Sequence, residues 1–344
     1  MKKLVLFTLL GMLSLTAIAQ SESKFDFSGS VDTYYRTNFG ADRMEAPNTS
    51  FANLPGFSLG MVNLVGSYTG EKVGFVADLV FGPRGEEAVF NSVGSSNIVN
   101  QLYAYWNVSE SVTLSLGNFN TFLGYEVISP VSNFNYSTSY MFSYGPFSHA
   151  GLKADIALSE DLSLMLAILN PTDYTEYNVN GTVTFGGQIG YKGQYLNVLY
   201  GDQSTDATMG SLFQIDYTGG FDLSDSFYFG INGTYNTTPI EDSDATGFYG
   251  AAVYLQYALS DKTAIGLRPE YFSEFGEFGA LGYSDASGEG NVFALTLSAN
   301  YAVADGLKII PELRYDMTSE ASFANGADMQ KELGSFLLAA VYSF

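Results

Sequence analysis

The chain has 344 residues with no cysteine, one tryptophan and one histidine, but 25 tyrosines, 27 phenylalanines and 37 glycines. Its formal net charge of −22 excludes the basic surface that nucleic-acid binding requires, and the missing cysteines remove disulfides, thiolate chemistry and sulfur-ligated metals. An apolar content of 46%, rich in aromatics, excludes a disordered chain.

The first residues are Met1-Lys2-Lys3, followed by an apolar run from Leu4 to Ile18 and the triplet Ala17-Ile18-Ala19 before Gln20. A basic start, a short greasy stretch and a small-x-small site predict a secretory signal over residues 1–19 and a barrel domain over 20–344. No cysteine follows to carry a lipoprotein anchor. No later apolar run reaches the ~18 residues of a spanning helix.

From Lys24 the chain breaks into short alternating runs. Phe25, Phe27, Val31 and Tyr35 fall on one side of the first run, with Asp26, Ser28, Asp32 and Arg36 on the other. Val73, Phe75, Ala77, Leu79 and Phe81 repeat this around Asp78, and Val112, Leu114 and Leu116 around Thr113 and Ser115. Leu162, Leu164, Leu166 and Ile168 follow, and later Leu307, Ile309, Leu313 and Tyr315 alternate with Lys308, Glu312, Arg314 and Asp316. Period two is the strand signal. A charged face opposite an apolar one suits a wall with lipid outside and a wet lumen inside.

The connections fall into two lengths. Tight turns are predicted at 69–72, 109–111, 159–161, 192–193, 223–226, 260–262 and 304–306, five of them with small polar residues that bond their own backbone. Longer segments lie near 39–56, 82–97, 119–146, 170–181, 201–210, 236–247, 273–289 and 316–332. Short and long alternate throughout, which predicts an all-β fold: a transmembrane antiparallel barrel of about sixteen strands with short periplasmic turns and long extracellular loops. A soluble sandwich would have connections of one length class and an apolar inner face. No additional N-terminal plug domain is expected before Lys24, so an energised transporter is disfavoured.

The last strand ends Phe336-Leu-Leu-Ala-Ala-Val-Tyr-Ser-Phe344. Phe336, Leu338, Tyr342 and Phe344 share one face, and this resembles the C-terminal signature of bacterial outer-membrane barrels. The implied partners are outer-membrane lipid and the barrel-assembly machinery.

The longest connection carries a second resemblance. Gly117, Phe119, Gly124, Tyr125 and Glu126, then Asn133, Tyr136, Ser137, Ser139 and Tyr140, then Gly145, Pro146, Phe147, His149 and Gly151 resemble the OmpL-like β-barrel porins (porin family 2) of Bacteroidota outer membranes. The resemblance implies a general or unidentified solute channel in the outer membrane; no cofactor is expected.

This connection is aromatic where an external loop should be charged; Glu126 is its one acid or base between Gly117 and His149. Folded inward, it would narrow the lumen, with Glu126, Asn133, Tyr136 and Tyr140 at the constriction. Packed over the rim or on a second subunit, it would not. Alternation places Arg36, Arg268, Lys308 and Arg314 on the inner face, with Asp78 and Asp155 inward on other strands. These lumen charges either set a transverse field across a water-filled constriction, with Glu126 as a partner, or brace the wall locally through Arg268 with Glu270 and Arg314 with Glu312 or Asp316.

No enzyme is expected. Ser148 and His149 are neighbours on one strand and face opposite sides, so they do not build a nucleophile–base pair. One imidazole and scattered carboxylates lack metal-ligand spacing, and Glu241, Asp242 and Asp244 read as a solvated loop. The leading expectation is passive diffusion of small hydrophilic solutes, with homo-oligomerisation left open. The alternatives are a substrate-selective oligosaccharide or peptide channel and a non-conducting structural or adhesive barrel.

Overall fold

The computed structural model describes residues 24–344 except 284 and 286; the signal expected over 1–19 lies outside the described residues. In chain order the strands are β1 (Lys24–Phe39), β2 (Gly56–Thr69), β3 (Val73–Phe81), β4 (Val99–Ser109), β5 (Val112–Asn120) and β6 (Ser148–Ala157). Then come β7 (Leu162–Leu169), β8 (Thr184–Tyr191), β9 (Gln194–Gly201), β10 (Leu212–Asp222), β11 (Phe227–Thr238) and β12 (Thr246–Ser260). The last are β13 (Thr263–Phe275), β14 (Gly290–Ala304), β15 (Leu307–Thr318), the short β16 (Phe323–Asn325) and β17 (Asp328–Gln330), and β18 (Glu332–Ser343). Two short helices, α1 (Pro83–Ala88) and α2 (Tyr140–Tyr144), lie in connections.

Sixteen of these strands pair antiparallel, each with its chain neighbours, in one closed barrel; β16 and β17 form a separate hairpin in the last long loop. Closure leaves the ladder no free edge, the condition for a sheet to stand in lipid. The seven tight turns all fall on one rim and the eight long connections on the other, as the length alternation requires.

The outer row is the expected greasy one. Phe25, Phe27, Phe75, Leu116, Leu166, Ile168, Leu313 and Tyr342 are exposed, while Asp32, Arg36, Asp78, Arg268 and Arg314 turn inward and are buried. The inner row departs from the simple reading, because much of it is apolar. Tyr34, Ile310, Leu337, Ala339 and Val341 form one packed cluster, and Phe248, Ala252, Tyr254, Phe272, Val292 and Ala294 belong to another. Where a wet lumen was expected, these side chains pack against inserted loop, and packing rather than water covers them.

The barrel closes on its final residue. β1 pairs with β18 from Ser30↔Ser343 to Phe39↔Gly334, and the Phe344 amide donates to the Gly29 carbonyl at 3.0 Å, with the reverse bond at 3.2 Å. The Phe344 ring lies 6.1 Å from that of Phe27. A β-carbon on Gly29 would come within 2.6 Å of the Asn63 carbonyl oxygen and 2.8 Å of the Phe344 ring. Gly29→Val should therefore wedge the seam and cost about 1–3 kcal/mol. The check is the temperature at which the folded, fast-migrating band disappears on a detergent gel; an unchanged transition would contradict the account of the seam.

Candidate functional site

The connection between β5 and β6 runs inside the barrel. Its backbone amides meet the inner wall in pairs. Glu312 on β15 accepts from Tyr136 N–H (2.8 Å) and Ser137 N–H (3.2 Å), and Glu270 on β13 accepts from Tyr140 N–H (3.0 Å) and Met141 N–H (2.9 Å). On β10, Asp216 accepts from Gly124 N–H at 2.9 Å. Wall cations take the loop carbonyls: Arg268 donates to Ser137 O (2.7 Å), Arg314 to Thr138 O (2.8 Å) and Lys308 to Val131 O (3.0 Å). A loop taken out of water must replace its lost hydrogen bonds, and a bond to an ionised partner is worth roughly 1.5–3 kcal/mol.

Side chains complete the attachment. Glu126 pairs with Arg268, both almost wholly buried, and also accepts from Ser139 N–H at 2.7 Å. Tyr136 donates its hydroxyl to Asp32 on β1 at 2.5 Å, and Tyr140 donates to Asp316 at 3.1 Å. Arg314 binds Asp316 at 2.8 Å and lies 5.3 Å from the centre of the Tyr140 ring. Asn133 closes the loop on itself, exchanging bonds with the Val127 amide (3.0 Å) and carbonyl (2.6 Å).

The wall is shaped for this loop. A β-carbon on Gly186 would meet Phe122 at 2.7 Å, one on Gly230 would meet the Tyr125 hydroxyl at 2.7 Å, and one on Gly250 would meet Met141 at 2.8 Å. Gly60 leaves room for the Asp32–Tyr136 pair, and Gly266 for Phe134. Knobs on the loop thus face gaps in the wall on five different strands.

Of the six lumen charges expected from alternation, Arg268, Lys308 and Arg314 touch the loop. Arg36 instead donates to Glu45 O (3.0 Å) and Asn53 O (3.2 Å) of the first long loop. Asp78 is held by Asn63, Asn100 (2.7 Å) and Gln101 (2.9 Å) within the wall. Asp155 pairs with Lys153 at 2.9 Å, half exposed near the short-turn rim. The wall cations therefore end on loop backbone and carboxylates. Arg268 reaches Glu126 rather than bonding Glu270, whose oxygens go to the two loop amides. His149 is fully buried and bonds the Thr121 hydroxyl at 2.9 Å.

Sequence reading missed Arg84, at the start of α1. It donates to Ile128 O (2.9 Å) and Tyr136 O (3.3 Å) and stacks between Phe51 (4.5 Å) and Tyr136 (5.2 Å). Lying in an irregular connection, it carries no period that would aim it inward. Glu270, Glu312 and Asp32 were legible as inner-row acids, but not as acceptors for loop amides and a tyrosine hydroxyl.

A sixteen-stranded barrel with an apolar outer row and a long connection folded through its waist has the build of a porin. One family description, Putative beta-barrel porin-2, OmpL-like, matches residues 24–344. The chain belongs to that family. As a porin it is an outer-membrane barrel, with its tight turns on one rim and its long loops on the other.

No curated protein matches the porin in sequence. Among solved structures it is similar to the outer membrane channel DcaP of Acinetobacter baumannii, with a TM-score of 0.61 at 13% identity, covering 95% of this chain and 99% of that one. The anion-selective porin from Comamonas acidovorans gives 0.62 at 10% identity, with 94% and 100% covered. OmpT of Vibrio cholerae gives 0.57 at 13%, with 95% and 100% covered. At such identities the likeness is one of fold.

Two measurements test the attachment. Arg268→Ala leaves Glu126 buried without its partner, a loss of about 3–5 kcal/mol. Limited proteolysis should then cut between Phe122 and Gly145 in the variant while sparing the wild type; equal resistance would contradict the role given to the pair. The second concerns Asp173, in the loop after β7, which accepts from Phe147 N–H (2.8 Å) and Ser148 N–H (2.9 Å) where the inserted segment returns to the wall. Burial pushes its carboxyl up to about 6. The folded state then holds this proton more tightly than the unfolded chain, so its contribution is full below the ordinary value near ~4 and is lost as the pH rises through about 6. Asp173→Asn should flatten the fall in the detergent unfolding midpoint between those limits, a difference of up to about 3 kcal/mol. Parallel pH curves for the two proteins would refute it.

Proposed function

We propose that this porin passes small hydrophilic solutes by passive diffusion, with the 119–146 loop as its constriction and the arrangement seen here as its closed form. The supporting observation is the attachment of that loop. Wall acids on β1, β10, β13 and β15 take its N–H and O–H groups, and wall cations on β13 and β15 take its carbonyls. Such bonds fix the loop across the waist, yet each can be exchanged for water, as a gate requires. Glu126, Asn133, Tyr136 and Tyr140 are its narrowest part in this reading, and no catalytic role falls to the chain.

A second reading, a non-conducting structural barrel, is favoured by how closely the loop fits the wall. Cavities beside the loop, one against Arg36, Glu312 and Arg314 and one against Gln214 and Asp216, hold about 10 Å³ each, about one water apiece.

Two partner assignments belong to the same reading. The outward row Phe336, Leu338, Tyr342 and Phe344 is the segment offered to the barrel-assembly machinery. Self-association has a face on the low side of the wall, where β7, β8 and β9 have eight residues each against the ~9–11 of a spanning strand.

Planar-bilayer recording separates the two functional readings. The refolded wild type should open rarely and briefly, and a variant with Phe122–Gly145 replaced by a short glycine–serine link should conduct continuously. Silence in both would establish the structural barrel and end the porin proposal.

A further inference from the structure

The four strands β8–β11 differ from the rest of the inner wall. Their inward row carries Gln188, Asn197, Gln214, Thr218, Asn232 and Thr234, with Asp216 the one acid in its middle. These groups mostly satisfy one another. Gln188 donates to Asn197 (2.7 Å), Asn197 and Asn232 donate to Asp216 (2.9 and 2.7 Å), and Gln214 donates to Thr234 (3.2 Å). The loop leans on this sector through few polar contacts: Gly124 N–H to Asp216, Gln188 to Phe122 O (3.3 Å), and the Tyr125 hydroxyl to that of Tyr228 (2.9 Å). Across the lumen, β13–β15 hold it through Arg268, Glu270, Ser298, Lys308, Glu312 and Arg314.

The asymmetry decides where a gap opens. Detaching the loop from β13–β15 breaks many charge-assisted bonds at once, whereas easing it off β8–β11 breaks few and leaves a wall whose groups remain bonded to each other. One of the two small cavities already lies on that side, between Leu123–Gly124, Met141–Pro146 and the polar side chains of β10 and β11. We infer that solute passes between the loop and the inner wall of β8–β11, and that this path takes uncharged polyhydroxylated solutes. The inference rests on the porin reading above. Amides and hydroxyls both donate and accept, so they trade bonds with a sugar's hydroxyls as it advances. An anion finds no fixed cation on this wall to replace its water, and it meets Asp216.

The absence of native cysteine makes the path testable with single thiols. Thr234→Cys and Thr218→Cys place one on the stripe, and Ala294→Cys places one on β14, in the apolar cluster that includes Tyr140 and Met141. During bilayer recording, a bulky neutral methanethiosulfonate should cut the conductance of either stripe variant severalfold and leave Ala294→Cys unchanged. In liposome-swelling assays, neutral sugars should enter faster than anions of similar size. Block at Ala294→Cys, no block at either stripe position in a conducting barrel, or equal entry of anions overturns the inference and leaves the porin reading standing. A barrel silent even without its loop removes both.

Discussion

A loop carried into a barrel brings its peptide groups with it, and every one of them must find a partner there. That requirement organises the interior of this protein. Glu312 and Glu270 each take two successive loop amides, while Arg268, Lys308 and Arg314 take carbonyls. Those inner-row charges are thus engaged by loop backbone, and outside the polar row of β8–β11 much of the inner surface is apolar because it faces protein. Four packed clusters join wall to inserted segments, including Phe51 from the first long loop and Leu281 from a later one.

The outside follows from a different constraint. Lipid offers no hydrogen bonds, so the sheet must close, and closure here reaches the last residue, where Phe344 bonds Gly29 across the seam. The two constraints meet in each strand as alternate residues. On β15, Leu313 and Tyr315 face outward, while Glu312, Arg314 and Asp316 face the loop. One strand therefore meets lipid on one face and the inserted loop on the other.

The strand pattern was legible because period two is a local property. Alternation around Asp78, or along Leu307–Asp316, fixes which side of the sheet each residue takes, and the rhythm of connection lengths fixes the strand count. The aromatic character of residues 119–146 marked that loop as unlike a solvated one, but left open whether it folds inward, packs over the rim or meets a second subunit. Contacts made across the barrel were not legible. Nothing near Arg84 in sequence indicates Tyr136, and nothing near Gly60 indicates that it makes room for that tyrosine beside Asp32. Inner-row residues such as Val341 and Ile310 read as ordinary strand, since the partner that buries them is distant in the chain. The β16–β17 hairpin was likewise unforeseen; its tie to the first loop, Asp42 N–H to Ala324 O at 2.8 Å, is long-range.

Amide hydrogen exchange tests the central claim most directly, because the bonds in question are themselves N–H groups. In the refolded protein, the amides of Tyr136, Ser137, Ser139, Tyr140 and Met141 should exchange as slowly as those of the barrel strands and far more slowly than those of the 201–210 loop. Exchange of these five at the rate of that exposed loop would mean that the wall acids, and Glu126 pinned by Arg268, do not hold the segment inside, and the account would fail.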